Sequence, residues 1–332
     1  MKQTNISVFV PHNGCPHRCT FCDQRTISGE IKAPSADEVR TLLNEQLPVL
    51  REHDTRAEIA FFGGSFTGIE RGYMISLLEA AHEAVTAHPE VYCGIRCSTR
   101  PDFIDEETLD ILCRYGMTAV ELGAQSMNDE VLRLNERGHT AADVERASGM
   151  IKRRGLSLGL QMMTGLYGDK PGYCLETAER FIALGADTVR IYPTVILEGT
   201  RLGELYKSGE YRTFGFDETV ELCAKLLRMF GEAGIPVIRL GLHASRDVEQ
   251  RMLGGVYHPA LREIAESRIF FEDMHSGMEQ LGGHSFTVYT DPANISKMIG
   301  QKRENKEKLH RMGFDFTIKT EQGTRLRIEN AL

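Results

Sequence analysis

The sequence lacks the long apolar run that a membrane span requires. No stretch of its 332 residues approaches the roughly 20 consecutive apolar residues of a transmembrane helix. It also lacks internal repeats, low-complexity linkers and an amino-terminal segment with the regions of an export signal. Its eight cysteines are too few for a disulfide framework in a chain of this length. We therefore expect a cytoplasmic protein with no membrane association, in a compartment that keeps thiols reduced.

The chain also has no excess of positive charge. Its 39 Lys and Arg residues oppose 47 Asp and Glu residues, which gives a net charge of −8. Any RNA partner would therefore have to be recognised by a local basic patch, because the whole molecule does not attract phosphate. Hydrophobic residues at 41% and charged residues at 26% argue against disorder and are ordinary for a globular protein.

Three cysteines, Cys15, Cys19 and Cys22, lie within eight residues, directly after an apolar run at residues 6–10. Cysteine thiolates are soft ligands that suit iron–sulfur clusters and zinc. No fourth cysteine is near, so a metal centre held here would keep one position for a ligand from outside the protein. The nearby histidines do not complete a usual zinc spacing. The pattern indicates a metal site, with zinc or a group of unrelated thiols as alternatives.

Short β-rich runs alternate with longer amphipathic stretches from residue 5 to about residue 240. This alternation is typical of βα units around a parallel sheet, and it predicts an α/β fold with a full or partial (β/α) barrel. The predicted strands are residues 6–10, 58–62, 92–97, 119–122, 157–162, 188–192 and 237–240. The predicted helices are residues 35–51, 73–88, 106–115, 141–154, 173–184 and 219–233. Residues 193–216 and 241–260 are richer in Gly, Pro, His and Tyr, and we expect them to be loops at the barrel mouth.

The cysteine spacing C-x3-C-x2-C, with Phe21 before the last cysteine, resembles the signature of the radical S-adenosylmethionine (SAM) superfamily. The resemblance implies a 4Fe-4S cluster on Cys15, Cys19 and Cys22, with SAM bound to the open iron. It further implies reductive cleavage of SAM to a 5′-deoxyadenosyl radical, with an electron donor such as flavodoxin or ferredoxin. The fold it implies is a partial (β/α)6 TIM-like barrel, open at one side, over residues 1–240.

The segment Gly63-Gly64-Ser65 follows the second predicted strand. A strand followed by two glycines is commonly no more than a tight βα turn. In the radical SAM superfamily this place holds a Gly-Gly-Glu type segment whose backbone binds the amino group of SAM. The resemblance therefore assigns Gly63, Gly64 and Ser65 to the cofactor site, although Ser65 replaces the acidic residue.

Two further segments resemble the catalytic subunit of Elongator, a tRNA-modifying family, and more distantly oxygen-independent coproporphyrinogen oxidase. The pattern Gly-x-Gln-Ser, then Leu-x-x-Arg-Gly-His, places Gln125 and Arg137 where those families contact SAM; the alternative is a strand-end amide and a surface guanidinium. Ser98 and Gln161 stand where the relatives often have Glu and Asp, so they can bond a hydroxyl but bring no negative charge. Tyr192, in a Tyr-Pro-Thr segment close to the Elongator sequence, is the last assigned cofactor contact.

The C-terminal extension, residues 241–332, differs from the barrel in its pattern. Predicted strands at 285–290 and 314–319 flank predicted helices at 294–299 and 304–311, an order that resembles a KH domain over about 285–320. Its Gly-x-x-Gly loop corresponds to residues 300–303, where Arg303 replaces the second glycine. Six cations lie here against Glu304 and Glu307: Lys297, Lys302, Arg303, Lys306, Lys308 and Arg311. They indicate an RNA contact through Lys302 and Arg303, with an ordinary solvated helical face as the alternative.

The function predicted from these patterns is a radical SAM enzyme that modifies RNA, in particular tRNA. No acetyltransferase region follows in the 332 residues, so we do not expect the acetyl chemistry of Elongator. The alternatives are radical chemistry on a small molecule such as a tetrapyrrole, and a non-catalytic cluster protein that binds RNA or haem. The remaining cysteines, including the pair Cys93 and Cys97, are interpreted as buried structural thiols.

Overall fold

A computed structural model describes residues 2–11, 19–23, 32–243 and 245–331 of the chain. Within these ranges, seven parallel strands form one sheet in the order β1-β2-β3-β4-β5-β6-β8. Their bounds are β1 (Lys2–Val10), β2 (Thr55–Gly63), β3 (Tyr92–Thr99), β4 (Met117–Gln125), β5 (Ser157–Thr164), β6 (Thr188–Pro193) and β8 (Val237–Leu240). All seven predicted strands are confirmed. Each is a short apolar run, as expected for strands of a parallel sheet that is covered by helices.

The sheet is a curled half-barrel, which confirms the predicted partial barrel. β1 and β8 are the two ends of its strand order, and they do not pair in the described part of the chain. The helices between the strands are α1 (Ala36–Glu52), α2 (Arg71–Ala87), α3 (Glu106–Arg114), α4 (Asp129–Leu134), α5 (Ala141–Arg153), α6 (Pro171–Ala183), α7 (Arg201–Ser208) and α8 (Phe216–Glu232). Because the strands are parallel, their carboxyl ends lie at one edge of the sheet, where an α/β barrel carries its site.

Local sequence explains where the helices begin. Ser35 accepts a hydrogen bond from the Glu38 N–H while the Glu38 side chain accepts one from the Ser35 N–H, and these two bonds form a capping box at the start of α1. Thr140 and Asp143 form the same arrangement at α5. The apolar faces of these helices pack on the strands to form the main core, which includes Leu43, Ile59, Leu77, Ile95, Leu122, Val144, Leu160 and Ile191.

Two segments predicted as loops contain regular structure. Residues 193–216 include β7 (Val195–Leu197) and α7, and residues 241–260 include α9 (Arg246–Arg251) and β9 (Met252–Gly255). β7 and β9 pair antiparallel. The glycines that suggested a loop instead permit this pairing: Gly255 has φ +89°, and a Cβ there would lie 2.2 Å from the Thr194 carbonyl oxygen.

The C-terminal part begins with a long helix, α10 (Leu261–Leu281), which we did not predict. Its buried residues Leu261, Ala265, Ile269, Met274 and Met278 recur at helical spacing, so the signal was present in the sequence. The helix packs against α8 of the barrel and against the sheet that follows it.

That sheet has the order β11-β10-β12. β10 (Ser285–Thr290) and β11 (Asp315–Thr320) are parallel, and β12 (Arg327–Asn330) is antiparallel to β10. α11 (Ile295–Ile299) and α12 (Glu304–Arg311) lie between β10 and β11, as the sequence predicts. A separate small core, which includes Phe270, Phe286, Val288, Met298 and Leu309, joins these elements to α10. The domain boundary at residue 240 and the relation to KH domains stay predictions.

None of the described helices combines the length and the apolar character needed to cross a membrane.

Candidate active site at the open edge of the half-barrel

The carboxyl edge of the sheet brings most of the predicted site residues together. Gly63, Ser98, Gln125, Gln161 and Tyr192 lie at or near the ends of five neighbouring strands, β2 to β6. The segment that carries Cys19, Phe21 and Cys22 reaches the same edge, because Cys19 contacts Arg137 in the connection after β4. Cys15 lies outside the described residues.

The cysteine segment is anchored by contacts with two distant parts of the chain. Thr20 Oγ1 donates a hydrogen bond to Asn135 Oδ1 at 2.9 Å, and its N–H donates to the Asn135 carbonyl at 3.3 Å. The Leu202 N–H donates to the Thr20 carbonyl at 2.8 Å. Asn135 is itself fixed, since its Nδ2 donates to the Tyr167 carbonyl at 2.9 Å. These bonds hold the backbone between Cys19 and Cys22 in one position.

Arg137 joins the cysteine segment to the sheet. Its Nη1 donates to Cys19 Sγ at 3.0 Å and its Nη2 donates to the Gly123 carbonyl at 2.5 Å. The guanidinium carbon lies 5.9 Å from the centre of the Phe21 ring, a cation–π distance. Arg137 is only 6% exposed, so the alternative of a surface guanidinium is wrong. A fixed positive charge therefore lies against one of the predicted ligand sulfurs.

Two polar atoms at this place, one on Gln125 and one on Arg137 itself, lack hydrogen-bond partners among the described residues. They are Gln125 Oε1 and Arg137 Nε, both buried. The two side chains lie over Gly123, where an added Cβ would be 3.0 Å from Gln125 Nε2 and 3.5 Å from Arg137 Nη2. Gln125 also has φ +67°, an unusual value for a residue other than glycine. An unsatisfied buried polar atom costs about 1 to 3 kcal/mol, so two of them together indicate a place for a polar ligand.

Gly63, the last residue of β2, must be glycine because of the packing around it. Gly63 has φ +116°, and a Cβ there would lie 2.5 Å from the Val10 carbonyl oxygen and 2.7 Å from the Phe9 ring. The Gly64 N–H donates to that same carbonyl at 2.8 Å. Ser65 is 3% exposed. The Gly63-Gly64-Ser65 segment therefore packs closely against the end of β1. The cysteine segment follows that end of β1 in the sequence.

The inner face of the half-barrel carries a charged network that sequence reasoning missed. Glu121 is 1% exposed and accepts hydrogen bonds from Arg190 Nε at 2.7 Å and Nη2 at 3.1 Å. Arg96 lies 3.7 Å from Glu121 and 3.2 Å from Glu58. Buried charges are tolerated when they are paired in this way. The signal was an Arg or a Glu inside an otherwise apolar strand, but the pairing requires the sheet register.

Ser98 and Gln161 belong to the same network. Gln161 Nε2 donates to Ser98 Oγ at 3.3 Å and to Glu121 Oε2 at 3.0 Å. The carboxylate that the related families carry at these positions is thus present nearby as Glu121. Because Arg190 neutralises it, the arrangement adds no net negative charge.

Burial shifts the titration of two more residues near this edge. His139 is 4% exposed, its Nε2 lies 3.1 Å from the Ala124 carbonyl, and burial together with the Arg137 charge lowers its pKa to about 3. Burial raises the pKa of the Tyr192 hydroxyl, partly offset by the adjacent Arg190. His139 is therefore neutral at ordinary pH, and Tyr192 keeps its proton.

The loop of residues 300–303 is a second candidate site. Lys302 and Arg303 are exposed and take positive φ values, +50° and +67°. Asn305 fixes the loop on α10, because its Nδ2 donates to the Ser267 carbonyl at 3.0 Å and to the Met298 carbonyl at 3.1 Å.

Two of the six cations counted in this region are neutralised. Lys297 pairs with Glu266 at 2.6 Å, and Lys308 pairs with Glu304. Lys302, Arg303, Lys306 and Arg311 form no ion pair with a described residue. The basic patch is therefore smaller than the sequence suggested, and it is centred on the loop.

Comparison with known families supports the site at the barrel edge. The Radical SAM superfamily model matches residues 9–181, and a Radical_SAM C-terminal domain model matches residues 186–270. The chain belongs to the radical SAM superfamily. It is an enzyme of that superfamily, whose members share a SAM ligand and an iron–sulfur cluster.

Among characterised relatives, this radical SAM chain is 30% identical over 248 residues to Elongator complex protein 3 of Mus musculus. That match covers 68% of the chain but only 44% of the relative, so the chain spans less than half the length of this protein. An uncharacterized protein of Methanocaldococcus jannaschii is 30% identical over 64% of the chain and 68% of its own length. The tRNA uridine(34) acetyltransferase of the same archaeon is 27% identical over 65% of the chain and 47% of its own length.

Solved structures agree on the fold. Elp3 of Methanocaldococcus infernus, lacking residues 1–46, has a TM-score of 0.62 at 21% identity and covers 83% of the chain and 64% of its own. Coproporphyrinogen III oxidase of Escherichia coli has a TM-score of 0.51 at 14% identity, over 84% of the chain and 78% of its own. The predicted resemblance to the Elongator family and, more distantly, to this oxidase is confirmed.

The other cysteines of this radical SAM enzyme lie on strands and helices outside the segment that carries the proposed ligands. Cys97, Cys174 and Cys223 are buried, and burial raises the pKa of each thiol, to about 12 for Cys223. Cys93 and Cys113 are only partly buried, which differs from the prediction. Among the residues that the structure describes, no cluster of His, Cys, Asp and Glu forms another metal site.

Proposed function

We propose that this radical SAM enzyme holds a 4Fe-4S cluster on Cys15, Cys19 and Cys22 and modifies a tRNA. The observation that carries the cofactor part is the group formed by Cys19, Arg137 and Gln125. A sulfur bonded by a buried guanidinium, next to two unsatisfied polar atoms, fits a thiolate-ligated cluster with a polar ligand beside it. When bound, the cluster and SAM together supply a 5′-deoxyadenosyl radical through one-electron cleavage of SAM.

The residues of the chain have separate tasks in this proposal. Arg137 places its charge against Cys19 and packs on Phe21, which orients the ligand segment. Gln125 Oε1 and Arg137 Nε would bond polar groups of SAM, since the protein leaves both unsatisfied within the described residues. The Gly63-Gly64-Ser65 segment would offer its backbone to the amino group of SAM. Ser98, Gln161 and Tyr192, on the inner face beyond them, would hydrogen-bond the remaining hydroxyl groups.

Two observations support tRNA as the substrate. Two of the relatives are Elongator complex protein 3 and a tRNA uridine(34) acetyltransferase, and the match covers the radical SAM region of this chain. In addition, Lys302 and Arg303 form no ion pair within the described part of the chain and are exposed on a loop that Asn305 fixes in place, although the protein as a whole is acidic. The likeness to coproporphyrinogen III oxidase concerns the fold alone, so a tetrapyrrole substrate has no separate support.

The cofactor part is tested with protein reconstituted anaerobically with iron and sulfide and then reduced with dithionite. Wild type should show the absorption of a 4Fe-4S cluster and release 5′-deoxyadenosine from SAM. Cys19→Ser should lose both, whereas Cys113→Ser, which changes a partly buried thiol on α3, should keep both. A wild-type cluster that never cleaves SAM would instead favour the non-catalytic alternative.

The substrate part is tested by comparing modified nucleosides in tRNA from cells with and without the gene. A nucleoside that disappears with the gene and returns with wild type, but not with Cys19→Ser, supports the proposal. Purified protein should also bind total tRNA at low salt, and Lys302→Glu combined with Arg303→Glu should weaken that binding. The matched control changes two exposed cations elsewhere, Arg153→Glu with Lys225→Glu. Absence of both tRNA binding and a changed nucleoside would rule out tRNA.

A further inference from the structure

The side of the half-barrel near β6 and β8 carries an unbalanced positive charge. Gln161, Arg190 and Arg239 are register partners on the neighbouring strands β5, β6 and β8. Arg190 is neutralised by its two hydrogen bonds to Glu121. Arg239 has no such partner: it forms no ion pair with any residue in the described ranges. Its Nε donates to the Gly241 carbonyl at 2.8 Å, which fixes the guanidinium toward the mouth of the barrel.

The surroundings of Arg239 increase this imbalance. Partial burial lowers the pKa of Arg239, and the charge of Arg190 acts more weakly in the same direction. His243 stands on the same rim, and its pKa is lowered by burial and by the charges of Arg239 and Arg190. Like charges on adjacent strands are destabilising unless an opposite charge lies between them.

We propose that Arg239, together with Arg190, forms a subsite for one phosphate of the substrate. An arginine fork matches the oxygens of a phosphate, and a single anion here would satisfy Arg239 and screen it from Arg190. This deepens the proposed function and rests on it, because an RNA strand is the substrate class that brings such a phosphate. The subsite uses none of the residues proposed above to contact SAM, and Arg239 lies on β8, at the end of the strand order farthest from β1 and β2.

The basic loop of residues 300–303 and the subsite at Arg239 would have separate tasks. Lys302 and Arg303 stand on a surface loop of the C-terminal part, whereas Arg239 lies on a strand of the barrel. The loop would capture RNA, and Arg239 would hold the backbone of the nucleotide that enters the barrel.

The test uses anaerobic reconstituted protein and three measurements on Arg239→Gln: tRNA affinity between 50 and 200 mM salt, SAM affinity, and the melting shift caused by inorganic phosphate. We expect tRNA affinity to fall about tenfold, as for loss of a charge-assisted hydrogen bond. The plot of log affinity against log salt should become less steep by about 0.7, the value for one phosphate of a single strand. SAM affinity should not change. Phosphate should raise the melting temperature of wild type above that in chloride of equal ionic strength, but not that of the variant.

Arg153→Gln is the matched control, because its side chain is 67% exposed at the end of α5, at the opposite edge of the sheet. It should leave all three measurements near wild type. Arg239→Lys keeps the charge but loses the fork, so it should retain the salt dependence with reduced affinity. Arg239→Lys therefore still tests the subsite if Arg239→Gln folds poorly.

The outcomes separate this proposal from the proposed function. Unchanged tRNA affinity with weakened SAM binding would place Arg239 in the SAM site and overturn the proposal. An Arg239-dependent phosphate shift, in a protein that binds no tRNA and whose loss changes no nucleoside, supports the subsite and refutes the tRNA substrate. If Arg239→Gln changes neither the melting shift caused by phosphate nor the tRNA affinity, the subsite is overturned, whatever the nucleoside comparison shows.

Discussion

His139 shows how strongly the carboxyl edge of the sheet constrains a single residue. Burial and the neighbouring Arg137 lower its pKa to about 3, against an ordinary value of 6.5. The unfolded chain therefore takes up this proton first as the pH falls, and stability decreases from about pH 6.5 downward. Stability decreases in acid because a lower pH favours the state that binds more protons, and here that state is the unfolded one.

We predict that His139→Gln reduces the acid sensitivity of folding. Between pH 6.5 and pH 5, His139 should account for a loss of about 2 kcal/mol of unfolding free energy, at 1.36 kcal/mol per pH unit. The variant keeps an amide donor for the Ala124 carbonyl but cannot titrate. Urea denaturation of both proteins at the two pH values checks this. An equal decrease in both proteins would show that other groups dominate.

The residues in sequence motifs could be assigned from the sequence, whereas the residues of the charged network on the inner face could not. Cys19, Gln125 and Arg137 lie in short patterns with fixed spacing, so a resemblance assigned them before their contacts were known. Glu121 and Arg190 are 69 positions apart, and their pairing depends on the register of three strands. Sequence alone shows only an isolated charge in each strand, which does not indicate its partner.

At the scale of elements, Gly159 on β5 makes the internal network possible. A Cβ at this position would lie 2.6 Å from Glu121 Cγ and 3.2 Å from Thr188 Oγ1. β5 lies between β4 and β6, so the missing side chain lets Glu121 reach across it to Arg190. A strand glycine often marks such a close approach.

We predict that Gly159→Ala destabilises the protein, whereas Gly231→Ala stabilises it. The first change overpacks the inner face and displaces a buried carboxylate from its arginine, so it should cost about 1 to 3 kcal/mol. Gly231 lies in α8 with no atom near an added Cβ, and alanine there should add about 0.5 to 1 kcal/mol. Urea denaturation measures both. A neutral Gly159→Ala would mean that Glu121 can shift without loss.

The elements of the barrel were more predictable than those around it. The strands of the half-barrel appear as short, mainly apolar runs, and the capped helices between them begin with clear signals such as Ser35 and Glu38. β7 and β9 were missed because each is only three or four residues long and β9 contains two glycines. β12 was missed for a similar reason: its four residues alternate without a flanking apolar run. Composition in such segments indicates a loop, and tertiary pairing decides otherwise.

At the scale of the whole molecule, Asp273 connects the barrel to the C-terminal part. It stands on α10 and pairs with Arg228 of α8 at 2.8 Å and with Arg325 before β12 at 2.7 Å. Its side chain is 19% exposed, so solvent screens these two pairs only partly. One carboxylate thus serves two cations on different sides of the same helix.

We predict that Asp273→Ala lowers the stability by about 1 to 2 kcal/mol, because two partly buried pairs are lost and Arg228 keeps only its longer pair with Glu272, at 3.4 Å. The C-terminal part should then unfold before the barrel, and calorimetry should show two transitions in place of one. Glu221→Ala is the control: it removes an exposed pair with Lys225 within α8 and should change stability by less than about 0.5 kcal/mol. A single transition at the wild-type temperature would show that packing of α10 on α8 suffices.

The hydrogen bonds that join Thr20 to Asn135 and Leu202 have a consequence for how the enzyme matures. They are made entirely between protein groups, so folding alone sets the separation of two of the proposed ligand thiols. The conformational entropy of that stretch is lost when the chain folds, not when iron arrives. Loss of the Asn135 amide would slow cluster insertion into an otherwise folded protein, and maturation would fail before catalysis does.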